Sequence, residues 1–142
     1  MQNYSFTIAL RFWHPTIDPE VITARLGLTP TYSSMAGEPR FTPKGTQLEG
    51  LHRESYWHCS MWDGWRESTE TSAEDAVLDL LSRLIPNREF ILGLLSTARQ
   101  GLIHMSSHGS GNYALVFSPD ILTACSSFGL SLAHDVYSAP QA

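Results

Sequence analysis

Apolar and polar residues alternate from Ser5 to Trp13. Phe6, Ile8, Leu10 and Phe12 fall on one side, and Thr7, Ala9, Arg11 and Trp13 on the other. A period of two marks a half-buried strand. The period then changes in "TIDPEVITARLGL". Asp18 suits a helix cap, Pro19 the first helical position and Gly27 the left-handed residue beyond the end. Ile22 and Leu26, one turn apart, face the core together. After Thr29 the pattern weakens under Pro30, Gly37, Pro39, Pro43, Gly45 and Gly50. It predicts a short strand over 31–35 within a long irregular loop over 33–53, a length that in compact domains is functional or disordered.

Alternation returns over 56–61, with Trp57, Cys59 and Met61 expected toward the helices and Tyr56, His58 and Ser60 away from them. Ser72 and Asp75 form a capping signal ahead of the stripe Val77, Leu80, Leu81 and Leu84. Pro86 breaks that helix. Asn87 is expected to cap a second one carrying Phe90, Ile91, Leu94 and Leu95, closed by Gly101. Strands are predicted over 102–107 and 113–117, joined by "HGSGN" as a glycine-rich hairpin turn. Ser118, Pro119 and Gly129 bound a third helix. A last strand follows over 130–137, and residues 138–142 read as a flexible tail.

"ALRFWHPTIDPEVITARLGL" (9–28) is echoed by "ALVFSPDILTACSSFGL" (114–130). Each half reads as strand, proline-started helix and strand, which suggests a pseudo-twofold repeat. The expected architecture is one α+β domain over 1–142. It has a mostly antiparallel sheet of five or six strands with helices on one face, in a ferredoxin-like plan of strand–helix–strand units.

Composition narrows the class. A chain of 142 residues, 42% hydrophobic and 11% aromatic, can build a core unaided. No apolar run reaches membrane-spanning length, and "MQNYSFTIAL" lacks the basic start of a signal peptide, so a cytoplasmic location is expected. Cys59 and Cys125 sit in apolar patterns and read as buried thiols without a disulfide. The net charge of −5 is concentrated in one segment, where Asp63, Glu67, Glu70, Glu74, Asp75 and Asp79 are opposed by Arg66 alone. That argues against nucleic acid as a partner and fits a basic protein; a solvated acidic helix start explains it as well.

The six histidines form no His-x-x-x-His pair on a helix, and no Cys-x-x-Cys occurs. Cys59 reads as a core residue and Ser110 as a turn residue; no phosphate loop is present. No catalytic residue, metal or cofactor is expected. What remains is recognition. Arg11, Trp13, His58, Trp62 and His104 are expected on the sheet face away from the helices, and Asp63, Trp65, Glu67 and Glu70 along its edge. Tryptophan and arginine dominate binding hot spots. The competing expectation is that the 33–53 loop covers this face and the tryptophans form a second core. The rival functional class is a small-ligand or metal-dependent enzyme using His58 and His104; a homodimer is a third.

"IALRF", "IDPEVITARLGLTP", "GEPR", the strand with Trp57, "VLDLLSRL" and "GLSLAHDVY" together resemble the bacterial family of domain of unknown function 4279, over nearly the whole chain. The resemblance brings no catalytic residues. Small domains of this kind resemble immunity proteins of toxin systems. What the resemblance implies is a non-enzymatic cytosolic protein that neutralises a secreted toxin, a basic domain, by direct binding.

Overall fold

The strand with the clearest alternation becomes the centre of the sheet. In the computed structural model, which describes residues 3–138, the chain runs β1 (Ser5–His14), α1 (Pro19–Leu26), β2 (Tyr32–Ser34), β3 (Pro39–Phe41), β4 (Gln47–Leu51), β5 (Ser55–Ser60) and β6 (Arg66–Glu67). It continues through α2 (Ala73–Leu84), a single 3-10 turn (Ile85–Asn87), α3 (Arg88–Leu95), β7 (Gln100–His108), α4 (Pro119–Phe128) and β8 (Ser131–Val136). The main sheet is ordered β2-β5-β1-β7-β8, and β6 pairs with the start of β1. β1 pairs antiparallel with β5 and with β7, and β2 antiparallel with β5.

β8 runs parallel to β7, so the sheet, expected to be mostly antiparallel, is mixed. The reason is local. α4 fills the link between the two strands and returns the chain to the same end, as a parallel neighbour requires. Two further crossovers are split. β1 and β2 run the same way with β5 between them, linked by α1; β5 and β7 run the same way with β1 between them, linked by α2 and α3.

The helix ends follow the expected chemistry. Asp18 accepts from the Glu20 amide at 3.0 Å, and Gly27 takes φ 65° after α1. Ser72 accepts from the Asp75 amide at 3.1 Å, and Ser118 from the Ile121 amide at 3.4 Å. The helices lie on one face of the sheet, where Phe6, Ile8, Leu10, Phe12, Trp57, Ile103 and Met105 pack against Ile22, Val77, Leu81, Ile91, Ile121 and Phe128 in one core. The two cysteines are free and buried there, and burial pushes both thiols up.

Five expectations are corrected. Residues 113–117 form no strand, and "HGSGN" is not a hairpin turn. Tyr113, Leu115 and Phe117 do pack onto the core, and Tyr113 stacks on Tyr4 at 4.9 Å. The alternation is therefore real, but the Val116 amide bonds to Glu74 Oε2 at 3.1 Å rather than to a neighbouring strand. The repeat consequently fails in its second half, which has the helix and the last strand without the first. Gly101 does not close α3, which ends at Leu95; it lies in β7, where a Cβ would sit 2.5 Å from Leu95 Cδ2. The 33–53 segment is not an irregular loop: β3 and β4 pair as a separate two-stranded hairpin. Asn87 gives no side-chain cap, since the 3-10 turn passes directly into α3. Residues 139–142 of the expected tail lie outside the described residues.

Candidate functional site

The register fixes what shares the face away from the helices. Arg11 lies opposite His58 on β5 and Leu102 on β7; Trp13 lies opposite Tyr56 and Gln100; Ala9 lies opposite Ser60 and His104. Tyr32 joins through its pairing with His58, and Asp135 through its pairing with Ser106. No described helix packs on this side. The β3–β4 hairpin does not close over it either, since every residue of both strands is exposed. The hairpin instead walls an open cleft of about 700 Å³ with Tyr32, Ser34, Phe41 and His52 in its lining. The expectation of a second core beneath a covering loop is therefore not met.

An aromatic ridge crosses the open face. Trp13 packs against Tyr56 at 5.1 Å between ring centres, Tyr56 against Tyr32 at 5.9 Å, and Tyr56 against His58 at 6.2 Å. Cross-strand aromatic contacts of this kind hold a sheet surface rigid at little entropic cost. Arg99 lies over the Trp13 ring at 5.4 Å while its NH2 pairs with Glu54 Oε1 at 2.9 Å. Beside the ridge, His104 Nε2 meets Asp135 Oδ2 at 2.6 Å. A hydrogen bond there has Nε2 donating to the carboxylate. Ser60 Oγ lies 3.4 Å from His58 Nε2.

Burial holds the His58 imidazole below its ordinary range, and the nearby Arg11 and His104 charges add to this. His134, on the helix side, is also held low, first by burial; its Nε2 meets the fully buried Ser107 Oγ at 2.7 Å. Both histidines are thus favoured neutral by folding. Their contribution to stability is complete above the ordinary value of 6.5 and is lost as pH falls through their lowered folded values. Thermal melts from pH 7.5 to 5.5 should show a falling midpoint, and the His58→Gln/His134→Gln double variant should flatten that slope. A midpoint that rises toward pH 5.5 contradicts the assignment.

Of the residues expected on this surface, Arg11, Trp13, His58 and His104 are brought together. Trp62 is not. It packs edge-on against Phe6 at 5.7 Å on the core side, with Arg66 over its ring at 3.9 Å. The strand ends at Ser60, so its alternation does not carry on to Trp62. Trp65 is exposed at the sheet's lower edge and sits edge-on to His108 at 4.6 Å and to Tyr137 at 6.1 Å. Asp63 and Glu70 are exposed, and Glu67 accepts from Ser5 Oγ at 2.8 Å. Glu74 is tied into the fold through Tyr4 and Val116. The acidic segment therefore does not form one surface. Tyr32 and Asp135 were not anticipated as members of the face. Tyr32 lies in a stretch without pattern, and Asp135 arrives only because β8 is parallel to β7.

Among the described residues, no three His, Cys, Asp or Glu side chains gather as a metal site, and no helix is long and apolar enough to cross a membrane. The family model described as domain of unknown function (DUF4279) matches residues 3–139. The chain belongs to this family. No curated protein and no solved structure matches it. The match spans every described strand and helix of this DUF4279 domain, so the open face and the core belong to one family unit.

Proposed function

We propose that this DUF4279 domain is a non-enzymatic binding protein whose open sheet face docks a protein partner. The observation that carries this is the pre-packed ridge of Trp13, Tyr56 and Tyr32 on a sheet face that no described helix or hairpin covers. Rigid aromatic side chains around a central arginine are the composition of a hot spot. The partner we favour is a secreted bacterial toxin, neutralised in the cytoplasm by direct binding. The exposed acids Asp63 and Glu70, on the same chain segment as Trp65, would attract a basic partner, speeding encounter and making it salt-sensitive. The two split crossovers support a ferredoxin-like plan for the scaffold, with β8 added as a parallel edge.

The test is co-expression with the product of the neighbouring gene. The two should co-purify, and co-expression should relieve toxicity. Trp13→Ala and Tyr56→Ala should each weaken binding on the order of 30-fold or more while leaving the fold intact. A partner that binds both variants as tightly as wild type removes the open face from the reading. A purified protein that forms a dimer through this face would make the second copy the occupant instead.

A further inference from the structure

We infer that Arg11 anchors a carboxylate-binding site at the centre of the open face, and that the group it takes is an aspartate or glutamate side chain of the partner. The inference rests on the docking role proposed above and names the chemistry at its centre. Arg11 stands on the middle strand, between His58 and Leu102. Its Nε is shut off from solvent and has no hydrogen-bond partner. Among the described residues its guanidinium makes no ion pair; the pairs present are Arg99 with Glu54 and His104 with Asp135. An arginine at the centre of a recognition surface with no resident acid beside it leaves its charge for an incoming one, taken at the ends of the guanidinium rather than at the enclosed Nε.

The acids of this face are already committed elsewhere. Asp135 holds His104, two strands away. Glu67 bonds Ser5, six residues back along β1, about 20 Å at strand rise. The guanidinium is therefore left without a resident carboxylate among the described residues.

The surroundings choose the anion. One guanidinium supplies one charge, with no lysine on the neighbouring strand positions and His58 held neutral beside it. A dianionic phosphate would be under-compensated there, whereas a planar monoanion matches both the charge and the two-pronged geometry of the guanidinium. Trp13, two residues along β1, and Tyr56, opposite it on β5, pack together beside the position.

The experiment is an NMR titration of the labelled protein with sodium acetate at pH 7.5 and constant ionic strength, with sodium chloride and inorganic phosphate as parallel arms. Acetate should shift the Trp13 indole N–H and the amides around Arg11 and His58 saturably, and more tightly than phosphate. Chloride should give no saturable shift. Arg11→Gln should weaken acetate at least ten-fold with the rest of the spectrum unchanged, and Arg11→Lys should recover only part of the loss. Unsaturable shifts, equal binding by Arg11→Gln, or phosphate binding as tight as acetate overturn the inference. If a protein partner nevertheless binds through Trp13 and Tyr56 with Arg11→Gln unaffected, the docking role stands and the carboxylate site falls. If acetate saturates and no partner docks on the face, the reverse holds.

Discussion

Replacing Trp57 with alanine is expected to cost about 3–5 kcal/mol of stability. The ring is fully buried, meets Phe12 at 5.9 Å between centres, and donates from Nε1 to Thr23 Oγ1 at 3.0 Å. One side chain thus fixes β5 to both the central strand and α1. The substitution removes the packing and the Nε1 hydrogen bond and leaves a cavity that the rigid sheet beneath cannot close. Urea unfolding should show a lower midpoint with an unchanged slope. Trp65→Ala is the matched control. That ring is 43% exposed and packs edge-on against His108 and Tyr137, outside the core, so its loss should cost less than about 1 kcal/mol. If Trp65→Ala proves the more damaging of the two, β5 has been assigned the wrong face.

Gly101→Val is expected to destabilise by about 3 kcal/mol or more, beyond the ordinary range of over-packing. An ideal Cβ at residue 101 would lie 2.5 Å from Leu95 Cδ2 and 3.0 Å from Phe12 Cδ1. Leu95 can yield, because it is the end of a flexible side chain. Phe12 cannot, since it is 1% exposed and wedged against Trp57. Gly101→Ala should therefore be milder. Adding Leu95→Ala should recover part of that loss, a coupling that a double-mutant cycle in denaturant would measure. Additive losses would mean that Phe12, not Leu95, sets the limit.

Gly101 also shows where local pattern misleads. After an apolar helix, a glycine reads as the left-handed stop that Gly27 and Gly129 do provide. Here the reason for glycine is the close approach of Leu95, six positions earlier, together with Phe12, nearly ninety positions earlier, a meeting that only the folded chain makes. The strands β1 and β5 were legible because one face is buried and the other is not, and the three capped helices because their caps are local chemistry. Residues 113–117 alternate for the same reason as a strand, one side packed and one side wet, yet pair with nothing. Alternation reports burial, and a ladder has to be found elsewhere.

The candidate site divides the same way. Arg11 and Trp13 follow from β1, and His58 from β5. Trp62 was carried past the end of its strand and landed on the core side. The hairpin was hidden because β3 and β4 bury nothing, so they lack a hydrophobic signature. The unpaired state of Arg11 was beyond reach, since it depends on which acids the folded sheet commits to other bonds.

The central position of β1 has a consequence for how the protein is made. Its second edge stays open until β7 emerges, since Leu10 pairs with Ile103 and Phe6 with Ser107. At elongation rates of roughly 5–20 residues per second that gap lasts roughly 5–20 s on the ribosome. During it, the strand bearing Phe6, Ile8, Leu10 and Phe12 offers a hydrophobic, unpaired backbone edge to the cell. Its safe passage depends on whatever shields nascent chains, and slowing translation between β5 and β7 should lower the soluble yield of a protein whose finished fold is unaffected.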